Sequence, residues 1–149
     1  MKTNSIISSL LLTALIACNQ PANESGNNST QEGTQKQNQN GVYFVNHKDG
    51  DTVASPVIIE MGVRGMTVEP AGKLSEGKGH HHLIIDGSFV EKGQMVPKDE
   101  THLHFGKGQT TDTLKLSPGP HLLTLQFGDG MHQSYGQDWS QSLAIIVKK

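Results

Sequence analysis

The feature that most limits the fold of this chain is a series of short apolar runs, each closed by turn-forming residues, between residues 41 and 149. The runs are rich in Val, Ile and Leu, and no long stretch has helical periodicity. We therefore predict seven β-strands, at residues 42–45, 57–63, 80–86, 89–96, 111–116, 121–127 and 142–147. Seven short strands in about 109 residues indicate an all-β domain, an immunoglobulin-like antiparallel β-sandwich spanning residues 41–149.

The beginning of the chain does not fit this pattern and is predicted to lie outside the domain. Lys2 and the largely apolar run from Ile6 to Ala17 are typical of a secretory signal. The run has about twelve residues, which is too short for a membrane span of roughly twenty. Its end, Leu15-Ile16-Ala17-Cys18, resembles a bacterial lipobox. The resemblance implies a lipoprotein signal peptide at residues 1–17 and a lipid on Cys18, the first residue of the mature chain.

Residues 18–40 are assigned to the lipidated cysteine and a disordered linker. Residues 19–40 contain no Val, Ile, Leu, Met or aromatic residue, so burial cannot offset the entropy of ordering them. Cys18 is the only cysteine, and its lipidation leaves no disulfide and no thiolate ligand. We therefore expect an exported protein, anchored to a bacterial membrane through this lipid, on the periplasmic or outer-membrane face.

The charge of the mature chain limits its partners. Removing Lys2 with the signal leaves 11 basic and 14 acidic residues, a net charge of about −3. Such a chain has no basic surface for the phosphate backbone, so nucleic acid is excluded as a partner. The sequence points to no particular protein partner.

Histidines are concentrated in one part of the domain, with seven of the eight between residues 80 and 132. Neighbouring side chains on a strand point to opposite faces, so His80 and His82 point together, as do His102 and His104. In an immunoglobulin-like sandwich the third and sixth strands are antiparallel neighbours, which places the start of the third beside His132. We therefore expect His80 and His82 to meet His132 at one rim, with the segment of His102 and His104 covering it.

Three or four imidazoles can saturate zinc or copper without a thiolate. The candidate metal ligands are His80, His82, His102, His104 and His132. Asp86 is expected to orient one imidazole by accepting its other N–H. Met95 or Met131 would add a soft thioether, which favours Cu(I), so we expect copper, with zinc as the alternative.

Several of these features also have simpler interpretations. His47 is expected to be a surface or hydrogen-bonded residue, and His81 a satisfied, partly buried histidine. His121, after Pro118-Gly119-Pro120, is expected to form a structural corner that hydrogen-bonds nearby backbone. The five candidate ligands would also suit a hydrogen-bonded network that holds the long loops. The glycine-rich stretch at residues 106–110 lacks the Walker spacing and a following helix, so it does not indicate a phosphate loop.

Four blocks carry a resemblance to a known family. They are Gly65-Met66-Thr67-Val68-Glu69-Pro70-Ala71-Gly72, Gly79-His80-His81-His82-Leu83-Ile84-Ile85-Asp86, His102-Leu103-His104-Phe105-Gly106-Lys107-Gly108-Gln109-Thr110 and Pro118-Gly119-Pro120-His121. Together they resemble a bacterial envelope family, domain of unknown function 4399. The resemblance implies an immunoglobulin-like fold and an exported location, but no settled activity. The loop at residues 131–134 departs from the family pattern, which has a further histidine and prolines there.

These observations predict a non-catalytic, membrane-anchored metal-binding module that sequesters, transports or senses copper or zinc outside the cytoplasm. A structural or interaction domain of the cell envelope, with the histidines as scaffold, is the first alternative. A metalloenzyme with histidine ligands is the second. No nucleophile–base pair is apparent, so no catalytic residue and no organic cofactor are predicted.

Overall fold

The computed structural model describes residues 39–149, so the predicted signal peptide, Cys18 and the linker up to residue 38 lie outside the described residues. Nine strands form the regular structure of this region: β1 Gly41–Phe44, β2 Asp51–Val53, β3 Val57–Arg64, β4 Thr67–Val68, β5 Lys78–Ile85, β6 His102–His104, β7 Thr111–Leu114, β8 Gly119–Gly128 and β9 Ser140–Val147. A 3₁₀ turn at Gln137–Trp139 precedes β9. The described residues contain no α-helix, and hence none long and apolar enough to span a bilayer.

The strands form two sheets that pack against each other. The first has the order β1-β3-β7, and the second has the order β2-β9-β8-β5-β4, with β6 also paired to β5. Most pairs are antiparallel; β2 with β9 and β4 with β5 are parallel. Side chains from both sheets share one buried cluster, which includes Phe44 and Ile59 from the first and Leu83, Leu125 and Phe127 from the second. The predicted all-β sandwich is confirmed.

Alternating side chains explain why these sequences form strands. In β3, Val57, Ile59 and Met61 are buried, and the residues between them are exposed. This period of two is that of a strand with one face on the core. Burial of an aliphatic side chain of this size contributes roughly 1.5–3 kcal/mol.

The predicted strand at residues 89–96 is wrong. Those residues form an irregular connection whose only ladder contact is an isolated bridge between Met95 and Gln133. The edge of β5 that such a strand would have joined is occupied by β6. His104 pairs there with His82. The segment is held instead by the loop after β8, through hydrogen bonds such as Val96 N to His132 O at 2.9 Å.

The outer face of the six-stranded sheet is buried under connecting segments over β5 and the second half of β8. Gln126 of β8 points to this face and is fully buried. Its Nε2 donates to Gly136 O at 3.1 Å and to Trp139 O at 3.2 Å, and its Oε1 accepts Val90 N at 3.1 Å. One amide side chain thus ties two connecting segments to the sheet, next to the strand that carries His80 and His82.

Candidate metal centre

The pairing of three chain segments brings the histidines together. His80 pairs with Gly128, so the start of β5 lies beside the end of β8, as the predicted strand order requires. On the other side of β5, β6 places His104 opposite His82. The loop after β8 returns His132 to the same place. Four imidazoles converge there, and we call them the histidine cluster: His80, His82, His104 and His132.

Three of these rings have nitrogens close enough to share one cation. His80, His104 and His132 each offer a ring nitrogen, and these nitrogens all lie within 4.8 Å of one another. The Nε2 atoms of His80 and His104 are 3.2 Å apart. Two ligands of a tetrahedral zinc, with bonds of about 2.0–2.1 Å, are separated by about 3.3 Å. The spacing of this pair therefore fits a shared first-row metal ion.

His82 lies beside this trio. Its ring centroid is 4.7 Å from that of His80, 5.1 Å from that of His104 and 6.1 Å from that of His132. The side chain is only 1% exposed, and neither ring nitrogen has a hydrogen-bond partner among the described residues. A buried nitrogen without a partner costs roughly 1–3 kcal/mol. The unpaired ring nitrogens of His82 therefore destabilise the fold unless another group binds them.

Glycines make room for the rings. A Cβ at Gly106 would overlap the imidazole of His104, and one at Gly128 would lie 3.1 Å from Nε2 of His82. A side chain at either position would push an imidazole away from the cluster. The glycines that follow β6 and end β8 therefore determine how closely the rings approach.

The loop before β5 that contains Ala71 and Gly72 supports the two segments that carry His104 and His132. Ala71 N donates to Gly106 O at 2.9 Å, and Gly72 N donates to Gly130 O at 2.8 Å. A Cβ at Gly130 would overlap the backbone of Lys73. This loop therefore anchors the residues just beyond His104 and just before His132.

His132 occupies a strained backbone position that Asp129 stabilises. Its φ of 69° is left-handed, a conformation that costs a non-glycine residue about 1–3 kcal/mol. Oδ1 of Asp129 accepts Met131 N at 2.8 Å and Gln133 N at 2.9 Å, and Asp129 O accepts His132 N at 3.0 Å. Sequence reasoning missed Asp129, although an aspartate that accepts backbone N–H groups from following residues is a known turn signal.

Burial keeps the imidazoles of His80, His82 and His104 neutral. Desolvation, followed by the nearby His104 and His132, lowers the pKa of His80 to about 4. Desolvation, followed by His80 and the other neighbouring histidines, lowers the pKa of His82 to about 2. The pKa of His104 is also lowered, first by burial and then by His132. At neutral pH these rings are in the uncharged form that binds metals.

Two of the residues predicted for the site lie elsewhere. His102 is opposite Ile84, two residue pairs further along β5, and its Nδ1 is 2.8 Å from Oδ1 of Asp99. Asp86 follows the far end of β5, where its Oδ2 is 2.9 Å from Nδ1 of His121. The structure therefore brings together four of the five candidate ligands, and Asp86 orients a histidine outside the histidine cluster.

The remaining histidines have structural surroundings. Nε2 of His121 is 2.9 Å from Ser117 O, which confirms the predicted corner. The prediction of a satisfied, partly buried His81 is wrong: its ring faces the core, is fully buried 5.1 Å from the ring centroid of Phe127, and has no hydrogen-bond partner among the described residues. His47 is 2.8 Å from Ile58 O through Nε2. None of the three belongs to the histidine cluster.

His121 superficially resembles the base of a hydrolase triad, because Asp86 lies at Nδ1 and Ser117 Oγ lies 3.4 Å from Nε2. The closer partner of Nε2 is the Ser117 carbonyl, an acceptor that requires Nε2 to carry a proton. Burial alone would lower the pKa of His121, but the hydrogen bonds to Ser117 O and Asp86 raise it above its ordinary value. A ring that donates from both nitrogens cannot accept a serine proton, so this trio is structural.

Comparison with known protein families gives a match. The family model described as "Domain of unknown function (DUF4399)" matches residues 59–148, which are 90 of the 149 residues and include the whole histidine cluster. No curated protein and no solved structure matches the chain.

Proposed function

The chain belongs to the DUF4399 family, whose description states no activity, and from the site itself we propose that its β-domain is a metal-binding module. In this proposal the module holds one copper or zinc ion outside the cytoplasm and serves in sequestration, transport or sensing. The observation that carries the proposal is the set of three ring nitrogens, from His80, His104 and His132, within 4.8 Å of one another. Imidazole nitrogens suit both metals.

The other anchors of the surrounding segments favour a metal over a purely structural network. A histidine that holds a loop is expected to hydrogen-bond through its ring nitrogens, yet both nitrogens of His82 are buried without partners among the described residues, as are those of His81 outside the cluster. The surrounding segments already have other anchors, namely Gln126, Asp129 and the loop of Ala71 and Gly72. The imidazoles are therefore not needed to hold these segments in place.

Copper is the preferred metal in this proposal because two thioethers lie on the segments around His132. Met131 precedes His132 directly, and Met95 pairs with Gln133. Both side chains are exposed, at 51% and 68%. Thioethers bind Cu(I) and have little affinity for zinc, so exposed methionines beside an imidazole site suit capture of copper.

The proposed location rests on the N-terminal sequence. Lipid on Cys18 would tether the module to a bacterial membrane, on the periplasmic or outer-membrane face. Radiolabelled palmitate should be incorporated by the wild-type chain and not by Cys18→Ser. A wild-type chain that is never lipidated and remains in the cytoplasm would contradict this part of the proposal.

Metal titration tests the main proposal. The untagged full-length chain, stripped of metal, should bind one equivalent of Cu(I), Cu(II) or Zn(II) in competition with a chromophoric chelator. Replacing His80 or His104 by Gln should weaken binding at least about tenfold, because each removes one of three ligands. His47→Gln and His102→Gln are matched controls, since both histidines lie outside the cluster.

Two outcomes would contradict the proposal. One is the absence of any metal binding with a Kd below about 10 μM, near −7 kcal/mol. The other is equal binding by the wild type and the His80→Gln and His104→Gln variants. Water exchange on bound Cu(II), followed by nuclear relaxation, separates the enzymatic alternative, because catalysis requires an open coordination position.

A further inference from the structure

One buried carboxylate accompanies the histidine cluster. Asp129 is 7% exposed and is the only buried Asp or Glu among residues 39–149. It is three residues from His132, in the loop that brings this ring to the cluster. A buried negative charge therefore lies in the same loop as one of the candidate ligands.

The same carboxylate shapes the loop. Its Oδ1 accepts two backbone N–H groups, from Met131 and Gln133, on either side of His132. These bonds hold the left-handed conformation that brings the ring of His132 to those of His80 and His104. Loss of the acceptor would release that loop.

A divalent ion on three neutral imidazoles leaves a net charge of +2 in a partly buried place. Burying an uncompensated charge is expensive, so a nearby carboxylate contributes directly to affinity. The benefit scales with the charge of the ion, because the Coulomb energy is proportional to it. A divalent ion therefore gains twice as much free energy as monovalent Cu(I) from the same carboxylate.

We propose that Asp129 is a positioning and charge-compensating residue of this site, which orients His132 and strengthens binding of divalent copper or zinc more than that of Cu(I). This inference rests on the proposed metal-binding function. It adds a residue that is not a ligand and assigns it two separable roles. The carboxylate oxygen acts on the loop, and the negative charge acts on the ion.

Isosteric replacement separates the two roles. Asp129→Asn keeps an Oδ1 acceptor and removes the charge, whereas Asp129→Ala removes both. In the full-length chain, Asp129→Asn should weaken Zn(II) binding about 10–100-fold, as is typical of residues that support metal ligands. The Cu(I) affinity should fall by the square root of that factor, about 3–10-fold. Asp99→Asn is the matched control, because Asp99 holds His102 outside the cluster.

Amide NMR reports the positioning role independently of metal. In the metal-free protein the resonances of Met131 and Gln133 should stay near their wild-type positions in Asp129→Asn and shift or broaden in Asp129→Ala. Asp129→Ser supplies a second neutral acceptor in case the asparagine variant does not fold.

The outcomes distinguish this inference from the function on which it rests. A wild type that binds no metal overturns the proposed function. A wild type that binds Zn(II), with a neutral variant that binds Zn(II) equally well, overturns the charge role of Asp129 and leaves the proposed function standing. Equal losses of Zn(II) and Cu(I) affinity overturn the dependence on ion charge.

Discussion

Acidification should destabilise the metal-free domain, because three consecutive residues of β5 are buried histidines. His81 provides the clearest test, since it faces the core and lies outside the histidine cluster. Desolvation, followed by the neighbouring His80, lowers the pKa of His81 from 6.5 to about 4. The unfolded chain therefore binds a proton that the folded chain rejects between pH 6.5 and 4. Stability from this residue is present above that window and is lost as the pH falls through it.

The magnitude follows from the two pKa values. At pH 5 an unfolded histidine of pKa 6.5 is almost fully protonated and a folded one of pKa about 4 is about one-tenth protonated. This difference costs about 2 kcal/mol relative to pH 7.5. His80 and His82, also with lowered pKa values, add to the loss. A domain with a typical stability of about 5–15 kcal/mol would lose much of it by pH 5.

His81→Phe isolates the contribution of this residue. Guanidinium unfolding of metal-free wild type and variant at pH 7.5, 6 and 5 gives the free energy of unfolding of each protein at each pH. The wild type should lose about 2 kcal/mol more than His81→Phe between pH 7.5 and 5. Each protein is compared with itself at pH 7.5, so the packing cost of phenylalanine beside Phe127 cancels. His102→Gln, which changes a partly exposed histidine outside the core, is the control for replacing a histidine elsewhere in the domain. Equal losses in wild type and His81→Phe, within about 0.5 kcal/mol, would refute the argument.

Three further predictions follow from individual contacts. Gly106→Ala should displace the ring of His104, because the new Cβ would overlap that ring. Zn(II) binding, measured by chelator competition, should weaken about tenfold while the far-UV circular dichroism spectrum stays unchanged. An unaltered affinity would contradict the close approach of Gly106 to His104. Gln126→Leu should lower the free energy of unfolding by about 3 kcal/mol in urea, because it leaves buried backbone groups of two segments unpaired; a loss below about 1 kcal/mol would argue against that role. The pKa of His121 is raised in the folded state, so the protonated ring stabilises the fold at pH values below the pKa of the unfolded state. This stability is lost as the pH rises through the pKa of the folded state. The stability difference between wild type and Asp86→Asn should therefore be larger at pH 6 than at pH 9, and a difference independent of pH would exclude the ion pair.

Much of the fold is readable from local patterns. Short apolar runs closed by turn residues predict β3, β5, β8 and β9, and side-chain parity separates His80 and His82 from His81. The antiparallel neighbourhood of β5 and β8 follows from the sandwich topology and predicts that His132 lies near His80. These inferences hold because side-chain direction in a strand is a local property of the backbone.

The failures arise where an edge has two possible partners. Residues 89–96 contain apolar residues and follow a turn, yet the three-residue β6 occupies the edge of β5. That choice decides which of His102 and His104 reaches the cluster, since the register sets His104 opposite His82 and His102 opposite Ile84. A register shift between two strands leaves the sequence of each unchanged, so no local pattern contains this information.

The amino-acid sequence by itself determined the class of fold, the face of each histidine on its strand and the supply of imidazoles without thiolates. Only the tertiary structure decided which four histidines meet, that Asp129 holds the loop of His132, and that Asp86 serves His121 instead. The physical reason is the distance along the chain over which each interaction acts. Strand periodicity acts between adjacent residues, whereas the cluster depends on contacts between β5, β6 and the loop after β8. The histidines of these segments are 22 or more residues apart in sequence, and packing sets their approach.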